Sequence, residues 1–144
     1  MVNKTTAVYS IIDDILKAIN HYDDKRRTMT DTEVITTAIT STMFFYGNME
    51  KTRSFMSSTG IVKNMLSKSR FCRRVHALSD LIYDMFHQLG SVLKTINIST
   101  EYIETVFSVI SSYLPKWIHA VTLKGFLLKV CLFVFAYTLD KAFL

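Results

Sequence analysis

Residues 67–90 read SKSRFCRRVHALSDLIYDMFHQLG, and the spacing of their apolar side chains decides the fold class. Phe71, Val75, Leu78, Ile82, Met85, Phe86 and Leu89 recur at steps of three or four, which places them on one stripe of a helix. Ser67 stands where an N-cap belongs and Gly90 where a helix stops, so the pattern predicts a single helix over 67–90. Arg70, Arg73 and Arg74 lie off the stripe.

The flanking segments repeat the helical period. Val8, Ile11, Ile12, Ile15, Leu16 and Ile19 share one face of a helix predicted from about Ala7 to Tyr22. Thr30 with Glu33 three residues later is a capping box, with Asp31 adding favourable charge, and opens a helix expected to stop at Gly47. A third helix is predicted over Met49–Ser58, and a last one over Thr122–Ala142. Only four Gly and one Pro occur in 144 residues, and 49% of the side chains are hydrophobic, enough for a proper core. The expected fold is all-α, a helical bundle of about five to six helices. Gly125 to Leu139 is intensely apolar, but Lys129 interrupts it and it falls short of the roughly 20 residues of a membrane span. It reads as a core helix, with no membrane partner. Cys72 and Cys131 have no CxxC spacing, and no secretory signal follows Met1, which favours reduced thiols in a cytoplasmic setting.

The charge is concentrated. Residues 1–50 carry five basic and seven acidic side chains, residues 80–144 carry five of each, and the intervening stretch has seven basic and none acidic. Those seven are Lys51, Arg53, Lys63, Lys68, Arg70, Arg73 and Arg74. A one-sign segment in a neutral background makes a local field that a polyanion can use, nucleic acid first among them; the other reading is a solvated basic face. Lys68, Arg70, Arg73 and Arg74 also crowd the opening turns of the predicted helix, where the macrodipole favours negative charge. A docked phosphate backbone would resolve that conflict. Arg70, Arg73 and Arg74 are then the principal contacts, with Lys63 and Lys68 as phosphate partners and Ser67 and Ser69 as helper donors. Met49–Ser58, a connector and the 67–90 helix fit a helix-turn-helix loosely, the connector exceeding the usual turn.

Other chemistries lack their motifs. There is no Gly-rich phosphate loop, nucleophile elbow or zinc spacing. His76 and His87 share a helix but stand about 16 Å apart along it, too far to ligate one ion. His21 and His119 are isolated in sequence. Asp13-Asp14 and Asp23-Asp24 are adjacent pairs, and adjacent helical side chains diverge, so Asp13 and Asp14 read as a solvated face. No metal site is expected.

Two blocks resemble a known family. Met29-Thr30-Asp31-Thr32-Glu33-Val34-Ile35-Thr36-Thr37-Ala38, Phe45 to Lys51, and Asn64-Met65-Leu66-Ser67-Lys68-Ser69-Arg70-Phe71 with Arg73-Arg74 and His76-Ala77 look like the N-terminal region of bacterial insertion-sequence transposases with a DDE catalytic domain. Ile103-Glu104-Thr105-Val106-Phe107-Ser108, Ile118 to Thr122 and Gly125 to Lys129 look like the extreme C-terminal end of the same proteins. The resemblance implies an in-frame internal deletion near Ile103 that removes both catalytic aspartates and the central sheet. It divides the chain into a DNA-binding region, 1–98, and a remnant of the ribonuclease-H-like domain, 99–144. Glu104 would be the remnant third carboxylate. The intact family uses Mg²⁺ or Mn²⁺, and two cations about 4 Å apart need several convergent acidic ligands, so this chain is expected to hold no metal. No pattern brings Asp140 near Glu104. Ser111 and Ser112 stand where the family has a basic residue.

The resulting expectation is a vestigial transposase that keeps DNA binding without catalysis. Its partners would be the double-stranded DNA of transposon ends, and itself or an intact transposase, in the bacterial cytoplasm at the nucleoid. Two alternatives stand beside it: strand transfer by complementation with another chain, and a membrane-associated structural product.

Overall fold

Thr30 sets the start of the helix around which the others pack. Its hydroxyl accepts the Glu33 N–H at 3.1 Å, and its own N–H donates to Glu33 Oε2 at 2.8 Å, completing the capping box legible in the sequence. The computed structural model describes residues 1–95 and 120–144, together with Leu114 and Ile118. Six helices occur among them: α1 (Val2–Ala18), α2 (Asp31–Phe45), α3 (Met49–Ser58), α4 (Lys68–Ala77), α5 (Ser79–Thr95) and α6 (Leu123–Phe143). No strand is present among the described residues, so the molecule is the all-α bundle its periodicity predicts.

The central helix α2 packs against α1, α3, α4 and α6. Val34, Ile35, Ala38 and Ile39 are fully buried, and so are Thr36, Thr37, Thr40 and Ser41. A helix surrounded on all sides cannot show a one-sided stripe, and the small hydroxyl side chains let neighbouring helices come close. Thr37 returns its hydroxyl to the Glu33 carbonyl at 2.7 Å, and Thr42 reaches the carbonyls of Ile39 at 2.8 Å and Leu132 on α6 at 3.3 Å. Such bonds reduce the cost of burying hydroxyls.

Helix ends explain where sequence reading misplaced boundaries. α1 occupies 2–18 rather than 7–22. It ends in a Schellman motif: Asn20 takes a left-handed φ of 54°, its N–H reaches the Lys17 carbonyl at 3.0 Å, and the His21 N–H reaches that of Leu16 at 2.9 Å. Asn is one of the few non-Gly residues that adopts this conformation readily. α2 stops as expected before Gly47, whose φ of +80° is the left-handed region that glycine tolerates. α3 has the predicted bounds, with Asn48 Oδ1 accepting the Lys51 N–H at 3.1 Å.

The helix predicted over 67–90 is two helices. α4 closes at Leu78, whose N–H donates to the Arg74 carbonyl at 3.0 Å, and α5 opens as the Ile82 N–H donates to the Leu78 carbonyl at 2.9 Å. Ser79 and Asp80 favour helix starts, and the Ser79 hydroxyl meets Asp80 Oδ1 at 3.3 Å. Leu78 stays in the core, so the apolar spacing continues through the break and conceals it. Gly90 stops nothing: α5 runs on to Thr95.

α6 is capped by Thr122, whose hydroxyl accepts the Gly125 N–H at 3.1 Å. Its Leu128, Cys131, Leu132, Phe135, Ala136 and Leu139 join the same core cluster as Val8, Ile12, Ile35, Ile39, Ile82 and Met85. The apolar face of the last helix is thus buried against the N-terminal helices. Lys4 at the start of α1 pairs with Asp140 near the end of α6 at 2.6 Å. Near its other end, a Cβ on Gly125 would lie 3.2 Å from the His76 ring, so α6 and α4 approach closely there. Among the described residues no helix is long and apolar enough to cross a membrane.

Candidate nucleic-acid interface on helix α4

α4 buries Phe71 and Val75 and turns its basic side outward. Ser67 stands at the N-cap, but its side chain makes no capping hydrogen bond, and the first turn contains no acidic residue. The first N–H groups of the helix therefore have no carboxylate or hydroxyl partner of their own segment. The break at Leu78 corrects the expected dipole conflict. In a ten-residue helix Arg74 and His76 fall in the last turn, where positive charge is favourable, and only Lys68 and Arg70 oppose the macrodipole.

Arg70, Arg73, Arg74 and Ala77 follow the i, i+3, i+4, i+7 spacing of one helix face. With Leu66 they line a shallow open groove of about 380 Å³. Arg70 and Arg73 are exposed. Leu66 is held by Arg53, whose Nε and Nη2 donate to its carbonyl at 2.9 and 2.6 Å while Nη1 pairs with Glu50 at 3.0 Å. Arg53 thereby builds the wall of the groove and is largely buried. Lys63 lies in the connector before α4 and Lys68 in its first turn, both exposed; the groove is lined by neither. Arg70, Arg73, Lys63 and Lys68 form no ion pair with a described residue.

Arg74 faces two ways. It lines the groove, yet its Nη2 donates to the carboxylate of Asp31 and, at 3.4 Å, to the Met29 carbonyl. Asp31 is 1% exposed and collects a network at the start of α2. Arg27 Nη1 reaches its two oxygens at 3.1 and 3.0 Å, and His21 Nε2 stands 2.9 Å from Oδ2. The Asp31 N–H donates to both oxygens of Asp23 at 3.1 and 3.0 Å. The Schellman turn after α1 delivers His21 to this point. Burial alone would lift the Asp31 carboxyl, but its hydrogen bonds with Asp23, His21 and Arg74, and the Arg74 charge, hold it below the ordinary carboxylate value. Asp23 goes the other way, raised by burial first and then by the interaction of its carboxyl with the Asp31 carboxyl, against the lowering effect of the Asp31 N–H.

In the sequence Asp31 is only a charge at a helix start. The one local signal of its larger role is Arg27, four residues earlier; the Arg74 and His21 partnerships are through-space. His21, Asp23 and Asp31 present ligand atoms within 4.8 Å of one another, the one such trio among the described residues. Both Asp31 oxygens already receive donors from Arg27, Arg74 and His21, so guanidinium groups occupy the place a cation would take. Asp13 is engaged too, by Lys17 at 2.5 Å. Glu104, Ser111, Ser112 and His119 lie outside the described residues, and Asp140 is tied to Lys4. Among the described residues, then, nothing forms the acidic centre of a two-metal enzyme.

No protein-family model, curated protein or solved structure matches this chain.

Proposed function

We propose that this chain binds double-stranded DNA through the outer side of α4, as the DNA-binding remainder of an internally deleted insertion-sequence transposase that lacks catalysis. The observation that carries the reading is the exposed set Arg70, Arg73 and Lys68, unpaired with any described residue, on one short helix whose first turn contains no acidic residue. A phosphate backbone supplies the negative charge that this surface lacks. Lys63 adds a further phosphate partner, and Arg74 contributes through the edge that Asp31 leaves open. The resemblance of residues 29–77 to insertion-sequence transposases supports a target class, the terminal repeats of a mobile element in the bacterial nucleoid. There the fragment occupies DNA ends, alone or with an intact transposase, and slows transposition. No metal participates.

The test is duplex affinity as a function of salt, for the parent and for Arg70→Ala/Arg73→Ala, on terminal-repeat and scrambled duplexes. Each phosphate contact contributes about 0.9 to the slope of log affinity against log salt, so the double variant should flatten it by about 2. Preference for the repeat adds base readout. Weak binding with a slope that the variant leaves unchanged would overturn the reading.

A further inference from the structure

We propose that the groove between Leu66, Arg70, Arg73, Arg74 and Ala77 is a seat for a single tetrahedral phosphate, and that Asp31 is the positioning residue that aims Arg74 into it. The inference rests on the DNA-binding reading above and deepens it, by separating one discrete phosphate position from the general basic surface.

Three observations carry it. First, three arginines line one depression of about 380 Å³ among whose lining residues there is no Asp or Glu. Guanidinium groups brought together repel unless an anion stands between them. Second, Arg74 is held by one Nη only. Nη2 is bound to Asp31 and the Met29 carbonyl, Nη1 makes no hydrogen bond to a described residue, and Nε is buried without a partner. An unpartnered buried donor on an arginine that lines the groove calls for an acceptor. Third, the seat is rigid on both sides. Asp31 anchors Arg74 from the buried start of α2, and Arg53 fixes the Leu66 carbonyl. An arginine already immobilised loses less conformational freedom when it binds, which favours a phosphate over the same charge on free side chains.

Phosphate chemistry is preferred to a carboxylate because a tetrahedral oxyanion has enough acceptors for the three arginines of one groove at once. That chemistry could come from a DNA phosphodiester or from a free phosphate, and the test has an arm for each. The full chain is labelled with ¹⁵N-arginine, and the Nε–H signals of Arg70, Arg73 and Arg74 are followed as inorganic phosphate is added at constant ionic strength with chloride. The expected result is a saturable shift of all three, including Arg74, weakened about tenfold by Arg73→Ala and left unchanged by Lys141→Ala, an exposed lysine at the end of α6. Arg73 is exposed and unpaired with described residues, so its variant is expected to fold, and a circular dichroism melt checks that it does. Asp31→Asn should retain the shifts of Arg70 and Arg73 while the Arg74 signal loses its saturable response.

A duplex oligonucleotide is then added to the phosphate-loaded protein. Displacement of phosphate identifies a phosphodiester as the occupant. Saturable phosphate binding in a chain with no duplex affinity sustains the seat, assigns it to free phosphate and overturns the DNA reading. Linear, unsaturated shifts spread over lysines and arginines alike overturn the seat, even if duplex binding is intact.

Discussion

The Arg74 guanidinium on α4 donates to the carboxylate of Asp31 at the start of α2, 43 positions earlier in the chain. This pair ties the helix that carries the basic face to the helix at the centre of the core. It also makes one arginine of that basic face a structural cross-link.

Removing the acid should therefore destabilise the bundle. Asp31→Asn leaves Arg74 without its counter-charge and Arg27 with only Asp23, 3.9 Å away, and breaking a buried pair costs about 3–5 kcal/mol. Both arginines retain some water access, at 39% and 21% exposure, so about 2–3 kcal/mol is expected. Urea unfolding measures it. Asp31→Asn/Arg74→Met should recover part of the loss, and additive single effects would show that the pair is not coupled.

The same carboxylate sets an acid dependence. Its folded pKa lies below the unfolded one, so its stabilisation is present above the model-peptide value of about 3.9 and disappears as pH falls through the lower folded value. Asp23, raised by burial and by the carboxyl of Asp31, has the opposite sign: its contribution is present at low pH and lost as pH rises through its folded value. Parent and Asp31→Asn stabilities should converge on acidification below about 3.9. A constant difference across that range would contradict the assignment.

Cys131 should behave as an inert thiol. Burial in α6 pushes its pKa from 9.0 up to about 11, and Cys72 is only partly buried. A maleimide reagent should label Cys72 first and reach Cys131 only at the rate of unfolding. Between pH 9 and 11 the unfolded state releases this proton while the folded state keeps it. Stability from this group, full below the unfolded pKa, should fall by up to about 2.7 kcal/mol by the folded one. Cys131→Ala should flatten that alkaline limb.

Helix ends provide small, separable effects. Thr30→Ala removes the hydroxyl half of the capping box, leaving the backbone N–H to Glu33 in place, and should cost about 1 kcal/mol. Gly47→Ala meets Phe133 at an ordinary 3.6 Å, so its cost, about 1–2 kcal/mol, should come from the left-handed backbone alone. Thermal melts resolve both, and a neutral Gly47→Ala would mean that the turn relaxes.

The last helix should prove integral to the fold. Phe135 is fully buried and its ring lies 5.8 Å from that of Phe86 on α5. Phe135→Ala should cost about 3–5 kcal/mol, visible as a loss of cooperative unfolding across the whole chain. A loss confined to the α6 signal, with α1–α4 unaffected, would show two independent units.

What was legible from sequence is what the chain determines locally. Apolar spacing gave the all-α class, Thr30 and Glu33 the start of α2, and the bounds of α3 and α6 to within a residue, because periodicity and capping depend on neighbours within a turn or two. The shared face of Arg70, Arg73 and Arg74 was legible for the same reason. Tertiary structure alone decided the break at Leu78, where the core keeps the apolar rhythm intact across two helices. It also decided that Arg53 builds the groove wall by binding the Leu66 carbonyl and that Arg74 is shared between the groove and Asp31. Those partners meet because packing around α2 brings distant segments together, and an ion pair depends on distance in space, which no local pattern of residues encodes.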